Sequence, residues 1–337
     1  MNAAVLHAPG DLRVESAPTP RPGPGEVVVR VDVTGLCGTD YRIWTGDRPV
    51  AYPRVMGHEF VGRVEAIGDG VERVRVGERV AVEPNYSCEA CPLCREGNRN
   101  LCLARTAVGI DVDGCLAELV RVPQRCCWPA PAGVSDDDLV LTEPLAVVVR
   151  AVARGAVQPD ESAAVVGGGT LGLLALQVLR GGGARVLVVS RSDRRFSLAR
   201  ALGAEATHAV TAESAEAAGR AFSGREGVDV VIETAGTSEA ITHALALVRP
   251  GGRIVLTGLP HEPTPVAFFS VVRREVTITG SMIYQGEFVE AMRLIADGVV
   301  RTAPLLTHRF GLDAVTDAFA AHRRPDAIKV VVLTRGR

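Results

Sequence analysis

The chain predicts an α/β protein of two domains, one β-barrel-like and one a doubly wound parallel sheet, and three observations carry that prediction. Its 337 residues exceed what a single hydrophobic core usually serves. Up to about residue 150, short valine-rich runs are broken by glycine and proline. From about residue 151, apolar strand-like runs alternate with Ala/Leu/Arg-rich helical stretches, the pattern of parallel strands joined by crossover helices.

In the first part, strands are expected at 27–33, 60–67, 79–82 and 116–122, each a β-branched run bounded by turn residues. In the second, six are expected, at 162–166, 185–189, 208–210, 228–233, 253–257 and 276–279, with helices at 171–180 and 195–202 between several of them. A helix over 288–295 leads to strands at 305–310 and 328–333, the last of which returns to the first domain. The first domain is therefore expected at 1–150 and 285–337, and the second at 151–284.

Composition narrows the function. An apolar share of 47% and a charged share of 23% belong to an ordinary globular protein. A net charge of -2 gives no reason to expect nucleic acid or an anionic membrane as partner. Among the 37 basic residues only Lys329 is lysine, a skew that reads as coding bias. No apolar run reaches the ~20 residues of a membrane span, and the first 15 residues lack a secretory pattern. The expected location is the cytoplasm, where eight cysteines point to metal ligation before disulfides.

Two constellations fit metal chemistry. Cys37 follows the first long strand, and His58 and Glu59 follow a turn and enter the next, so thiolate, imidazole and carboxylate stand at strand ends. Three such ligands suit Zn²⁺ and leave a fourth position for water or substrate, the arrangement of a catalytic site. Cys88, Cys91, Cys94 and Cys102 are spaced as the four thiolates of a closed, structural zinc site. An iron–sulfur cluster or unligated thiols are the alternatives. Cys115, Cys126 and Cys127 lack ligand spacing and are expected to pack.

A third motif lies at Gly167-Gly-Gly-Thr-Leu-Gly172, between a strand and a helix. It matches G-x-G-x-x-G, in which Gly167 permits the tight turn, Gly169 admits a pyrophosphate to the helix N-terminus, and Gly172 lets helix and sheet approach. A dinucleotide is the implied cofactor. At the end of the second strand, where an acid would accept from the ribose 2′-OH of NAD, stands Ser190, followed by Arg191, Arg194 and Arg195. That favours NADP over NAD, with guanidinium donors for a 2′-phosphate; the alternative is a solvated helix start with Asp193 making the ribose contact.

Taken in order, Cys37-Gly-Thr-Asp40, Gly57-His-Glu59, the four-cysteine loop, Glu143-Pro-Leu-Ala146 and the glycine turn resemble the zinc-containing medium-chain alcohol dehydrogenases, nearest the sorbitol, butanediol and threonine dehydrogenase branch. The resemblance spans essentially the whole chain. It implies a GroES-like β-barrel catalytic domain and a Rossmann domain, with the active site in the cleft between them, two zinc ions, one catalytic and one structural, and a homo-oligomer, dimer or tetramer. It implies that Cys37 and His58 ligate the catalytic zinc, that Glu59 is a ligand or close to one, and that Glu143 is the branch's further zinc-site carboxylate. Asp40 orients the histidine, and Thr39 takes the substrate proton. Leu171, Ser190, Arg195, Thr257, Gly258, Leu259, Ser281, Met282 and Ile283 align with dinucleotide contacts. Trp44 and Tyr284 are candidates for the lining of the substrate pocket, with ordinary packing as the alternative.

Three departures qualify the resemblance. Arg42 stands where many members have a histidine that passes the proton to solvent. Ile283 stands where sorbitol dehydrogenases have an arginine that holds polyol hydroxyls. Ser190 replaces the acid. The reading is reversible oxidation of a secondary alcohol (polyol, cyclitol, diol or amino alcohol) to its ketone. A non-catalytic dinucleotide-binding sensor or scaffold shares the fold, but has no need of an open metal shell or of Thr39.

Overall fold

The computed structural model describes residues 1–210 and 214–334. The chain folds as two compact units: Met1–Glu143 with Ala291–Ala296 and Thr302–Arg337, and Pro144–Glu290 with Asp297–Arg301. Residues 144–150 and 285–290 thus fold with the second unit, not the first. The ion pair between Arg150 and Glu287, 3.0 Å apart and largely shielded, ties those two segments together.

The first unit is organised on the strand Glu26–Gly35. Along its whole length it pairs antiparallel with Glu59–Ile67; its opening residues also pair with Leu119–Pro123, and its last with Lys329–Leu333. Arg79–Val82 and Cys127–Pro129 extend this sheet on one side and Leu306–Gly311 on the other. Val27, Val29 and Val31 alternate into one core with Phe60, Val64, Val80 and Val120. Cys115, Cys126 and Cys127 are buried in that same core, where burial pushes their thiols up. A second core joins Leu36, Ile43 and Met56 to Phe319, Val330 and Val332. The hairpin Asn2–Ala8 with Asp11–Ser16 has no counterpart in the sequence reading; its second strand buries none of its residues, although Leu12 and Val14 alternate with polar neighbours.

The second unit holds six parallel strands in the spatial order Ala206–Ala209, Arg185–Ser190, Ser162–Val166, Val228–Glu233, Val248–Leu256, Thr277–Gly280. Counted along the chain this is 3-2-1-4-5-6, the order of a dinucleotide-binding doubly wound sheet. The two central strands, Ser162–Val166 and Val228–Glu233, are buried at every residue. Covered on both faces, they read as predominantly apolar runs, interrupted at their ends by Ser162, Asp229 and Glu233, instead of alternating ones. At their N-terminal ends Asp229 accepts from the Ser162 N–H (2.9 Å), the Ser162 hydroxyl (2.7 Å) and Arg249 Nε (2.7 Å), which sets their register where the sheet order reverses.

Candidate active site and metal centres

Cys37 sits two residues past the end of Glu26–Gly35 and caps the helix Gly38–Thr45. Its N–H donates to Asp40 Oδ2 at 2.9 Å, while Asp40 Oδ1 lies 3.1 Å from His58 Nδ1. One fully buried carboxylate therefore fixes both the thiol-bearing backbone and the imidazole, leaving His58 Nε2 free to be a ligand atom. Burial opposes charge on both partners, yet their attraction and hydrogen bond prevail: Asp40 is held below, and His58 well above, its ordinary value. His58 precedes Glu59–Ile67 on a turn only glycine can make. Gly57 has φ +92°, and a Cβ there would meet Cys115 Sγ and the Leu116 backbone at 3.0 Å.

One ligand atom each from Cys37, His58 and Glu59 lies within 4.8 Å of the others. A thiol, an imidazole and a carboxylate so gathered, all three chemically suited to Zn²⁺, fit that ion. Glu143, in the first turn of Thr142–Arg154, is buried but stands outside this trio, near enough for its charge to act on Lys329. Sequence reasoning missed Lys329, which the fold brings to Glu59. It is 2% exposed, and its ammonium is ion-paired with Glu59 Oε2. The one signal in the sequence was that this chain otherwise uses arginine throughout; that the lysine meets Glu59 is visible only in the fold.

Thr39 is half-buried on the helix next to Asp40. Trp44 packs away into the second core, its ring 5.4 Å from Phe319 and 5.6 Å from Tyr41.

The four-cysteine loop brings Cys88, Cys91, Cys94 and Cys102 within 4.8 Å of one another. Cys91 Sγ lies 3.5 Å from Cys94 Sγ and 3.9 Å from Cys102 Sγ. Those separations bracket the roughly 3.8 Å edge of a tetrahedron with Zn–S bonds of about 2.3 Å, and far exceed a disulfide. Backbone N–H groups of Leu103 and Cys94 lower the Cys91 thiol to about 6, and those of Ala90 and Cys91 lower Cys88. Burial and the neighbouring sulfurs push Cys94 the other way, up to about 12, so the backbone favours the thiolate at Cys91 and Cys88.

In the second unit the strand Ser162–Val166 runs into the glycine turn, and Gly169 caps the helix Thr170–Gly181. Gly167 has φ +117°, and a Cβ on it would lie 2.5 Å from Thr234 Oγ1; one on Gly172 would strike the Gly167 carbonyl. Ser190 is half-buried at the end of its strand, facing the turn, since a Cβ on Gly168 would lie 3.4 Å from its hydroxyl. Arg195 folds back so that Nη1 donates to the Gly168 carbonyl at 3.0 Å, whereas Arg191, Asp193 and Arg194 are exposed. Leu171 is half-buried on the first turn of the helix.

Thr257 and Ser281 follow the ends of the fifth and sixth strands. Both are 7% exposed, and both hydroxyls are buried without a hydrogen-bond partner. Two orphaned donors at the same carboxyl edge of the parallel sheet as the glycine-rich turn fit a dinucleotide. Gly258 and Leu259 continue from Thr257, with Leu259 exposed; Met282 and Ile283 are half-buried. Tyr284 is 2% exposed, edge-on to Phe288 at 5.8 Å. A second missed residue is Glu233, fully buried at the end of the fourth strand. It accepts from the N–H groups of Ala235 (2.6 Å) and Gly236 (2.8 Å), and burial raises its carboxyl. It clamps the turn that faces Gly167.

Residues 23–132 match the alcohol dehydrogenase GroES-like domain and residues 170–297 the zinc-binding dehydrogenase domain. The chain is an enzyme of the zinc-containing medium-chain alcohol dehydrogenase family. It is 34% identical to sorbitol dehydrogenase of Homo sapiens over 337 residues, 97% of this chain and 94% of that one. A zinc-binding dehydrogenase from Sinorhizobium meliloti 1021, solved with NADP, superimposes with a TM-score of 0.92 at 33% identity over 98% of both chains. The alcohol dehydrogenase rspB of Escherichia coli CFT073, solved with NADH, gives 0.93 at 31% identity over 99% of both. Among the described residues no helix is long and apolar enough to cross a membrane.

Proposed function

We propose that this oxidoreductase interconverts a secondary alcohol and its ketone, passing hydride between the substrate carbon and a nicotinamide dinucleotide, with NADP favoured over NAD and two zinc ions per chain. The observation that carries the reading is the convergence of Cys37, His58 and Glu59 on a shell fixed by Asp40 and Lys329. In such a shell a zinc ion supplies Lewis acidity toward the alcohol or carbonyl oxygen.

This chain's residues do the rest. Cys37 and His58 hold their positions through the shared Asp40, so the metal shell needs no rearrangement on binding. Lys329 keeps the Glu59 carboxylate in place, as ligand or as neighbour. Thr39, two residues from Cys37 on the same helix, takes the hydroxyl proton. In the second unit Gly169 and its helix N-terminus receive the pyrophosphate, Thr257 and Ser281 supply hydroxyl donors, and Arg191 with Ser190 faces the adenosine ribose. Arg191 is exposed and forms no ion pair among the described residues, and no acid replaces Ser190, which supports NADP. That one relative is solved with NADP and another with NADH supports either dinucleotide.

A panel of polyols, cyclitols, diols and amino alcohols, each with NADP and NAD, tests the reading. Metal analysis before and after mild chelation accompanies it. Turnover that disappears with loss of one zinc while a second is retained is the expected result; a protein holding both ions and dinucleotide yet inert toward every alcohol and ketone would be a sensor, not a dehydrogenase.

A further inference from the structure

Arg42 is the one strongly charged side chain of the Gly38–Thr45 helix that the site described above leaves unused. Its place on the helix is firm, because its carbonyl accepts from the Arg48 N–H at 3.0 Å and the Thr45 hydroxyl at 3.2 Å. Its side chain is half-buried, and Nε is wholly buried without a hydrogen-bond partner. The nearby carboxylates are engaged elsewhere. Asp40 holds Cys37 and His58, and Asp47 accepts from Thr45 Oγ1 at 2.8 Å. The guanidinium makes no ion pair among the described residues, although a partly buried charge without one is costly.

Arg42 is also one turn from Thr39. Residues three apart on a helix are neighbours, with Cβ atoms about 5–6 Å apart. An alcohol bound with its hydroxyl oxygen toward the Cys37–His58 shell and its hydroxyl proton toward Thr39 therefore has an uncompensated guanidinium one helical turn away, within reach of its neighbouring groups. A guanidinium presents a fork that matches carboxylate and phosphate.

We infer that Arg42 is a specificity residue that binds an anionic group, carboxylate or phosphate, carried by the alcohol substrate; the inference rests on the dehydrogenase reading above. The same chemistry is present in the cofactor's own phosphates, and the experiment separates the two sources. Calorimetric titration of the zinc-loaded protein with sorbitol, gluconate and sorbitol 6-phosphate, in the presence of saturating NADP, is run beside fluorescence titration with NADPH. The wild-type protein is expected to bind at least one of the two anions tenfold or more tightly than sorbitol. Arg42→Met should abolish that preference and Arg42→Lys should keep part of it, with the NADPH dissociation constant moving less than threefold in both. Equal affinity of wild-type protein for all three probes overturns the inference. So does a tenfold loss of NADPH affinity in Arg42→Met with the substrate preference intact, which would assign the guanidinium to the cofactor. Anion preference without oxidation of any probe would instead count against the dehydrogenase reading and leave the anion site standing.

Discussion

Lys329 reaches Glu59 across 270 residues of sequence to form an ion pair in which both side chains are almost wholly buried. The strand that carries the lysine lies beside Glu26–Gly35, and the strand that opens with the glutamate lies on that strand's other edge. The pair therefore bridges the end of one central strand at Gly35, where a Cβ would strike both side chains.

Breaking this pair leaves Glu59 charged and alone in the interior. Lys329→Met is expected to destabilise the metal-stripped protein by about 3–5 kcal/mol, the usual cost of orphaning a buried ion. A zinc ion gives the carboxylate another cation, so the loss should shrink in the zinc-loaded protein. Urea unfolding of both forms measures it; an equal loss in each would mean that Glu59 is no ligand.

Cys37→Ala or His58→Ala should reduce turnover to background and leave NADPH binding within about threefold of wild type. The reason is position: the glycine turn, Thr257 and Ser281 belong to the other compact unit. Fluorescence titration beside steady-state assays decides, and loss of dinucleotide binding in either variant would contradict separate roles.

NADPH should be used in preference to NADH by at least tenfold in kcat/KM, since charge-assisted contacts contribute about 1.5–3 kcal/mol each and about 1.4 kcal/mol is a decade. Ser190→Asp should reverse the order, because a carboxylate there accepts from the ribose 2′-OH and repels a 2′-phosphate. A tenfold preference for NADH in the unmodified enzyme would make Arg191 a surface charge and turn attention to Asp193.

Asp229 supplies the pH dependence. Burial works to raise its carboxyl, but hydrogen bonds from Ser162 and Arg249 hold it at about 2. An aspartate in the unfolded chain titrates near 3.9, so the folded state binds its proton less readily. The stabilisation is present above pH ~3.9 and is lost as pH falls toward 2. Asp229→Asn should flatten the stability curve in that window and leave its shape near neutrality unchanged. Acid titrations of both proteins followed by circular dichroism check this; parallel curves between pH 4 and 2 would rule Asp229 out as the titrating group.

What the sequence determined by itself was local. The central strands were legible because burial on both faces favours predominantly apolar runs, and 162–166 and 228–233 fold where those runs lie; 79–82, in the other sheet, was legible as a short valine-rich run. The glycine turn and the four-cysteine loop were legible for a related reason: each gathers its functional atoms within about fifteen consecutive residues, so spacing already states most of the geometry. The tertiary structure decided what depends on which strands become neighbours. The joining of Lys329 to Glu59, the Asp229 clamp on Ser162 and the fold-back of Arg195 onto Gly168 all link segments that no periodicity connects. A side chain's period reports which face it takes, whereas its partner is set by strand order and register, and those emerge only when the sheets close on their cores.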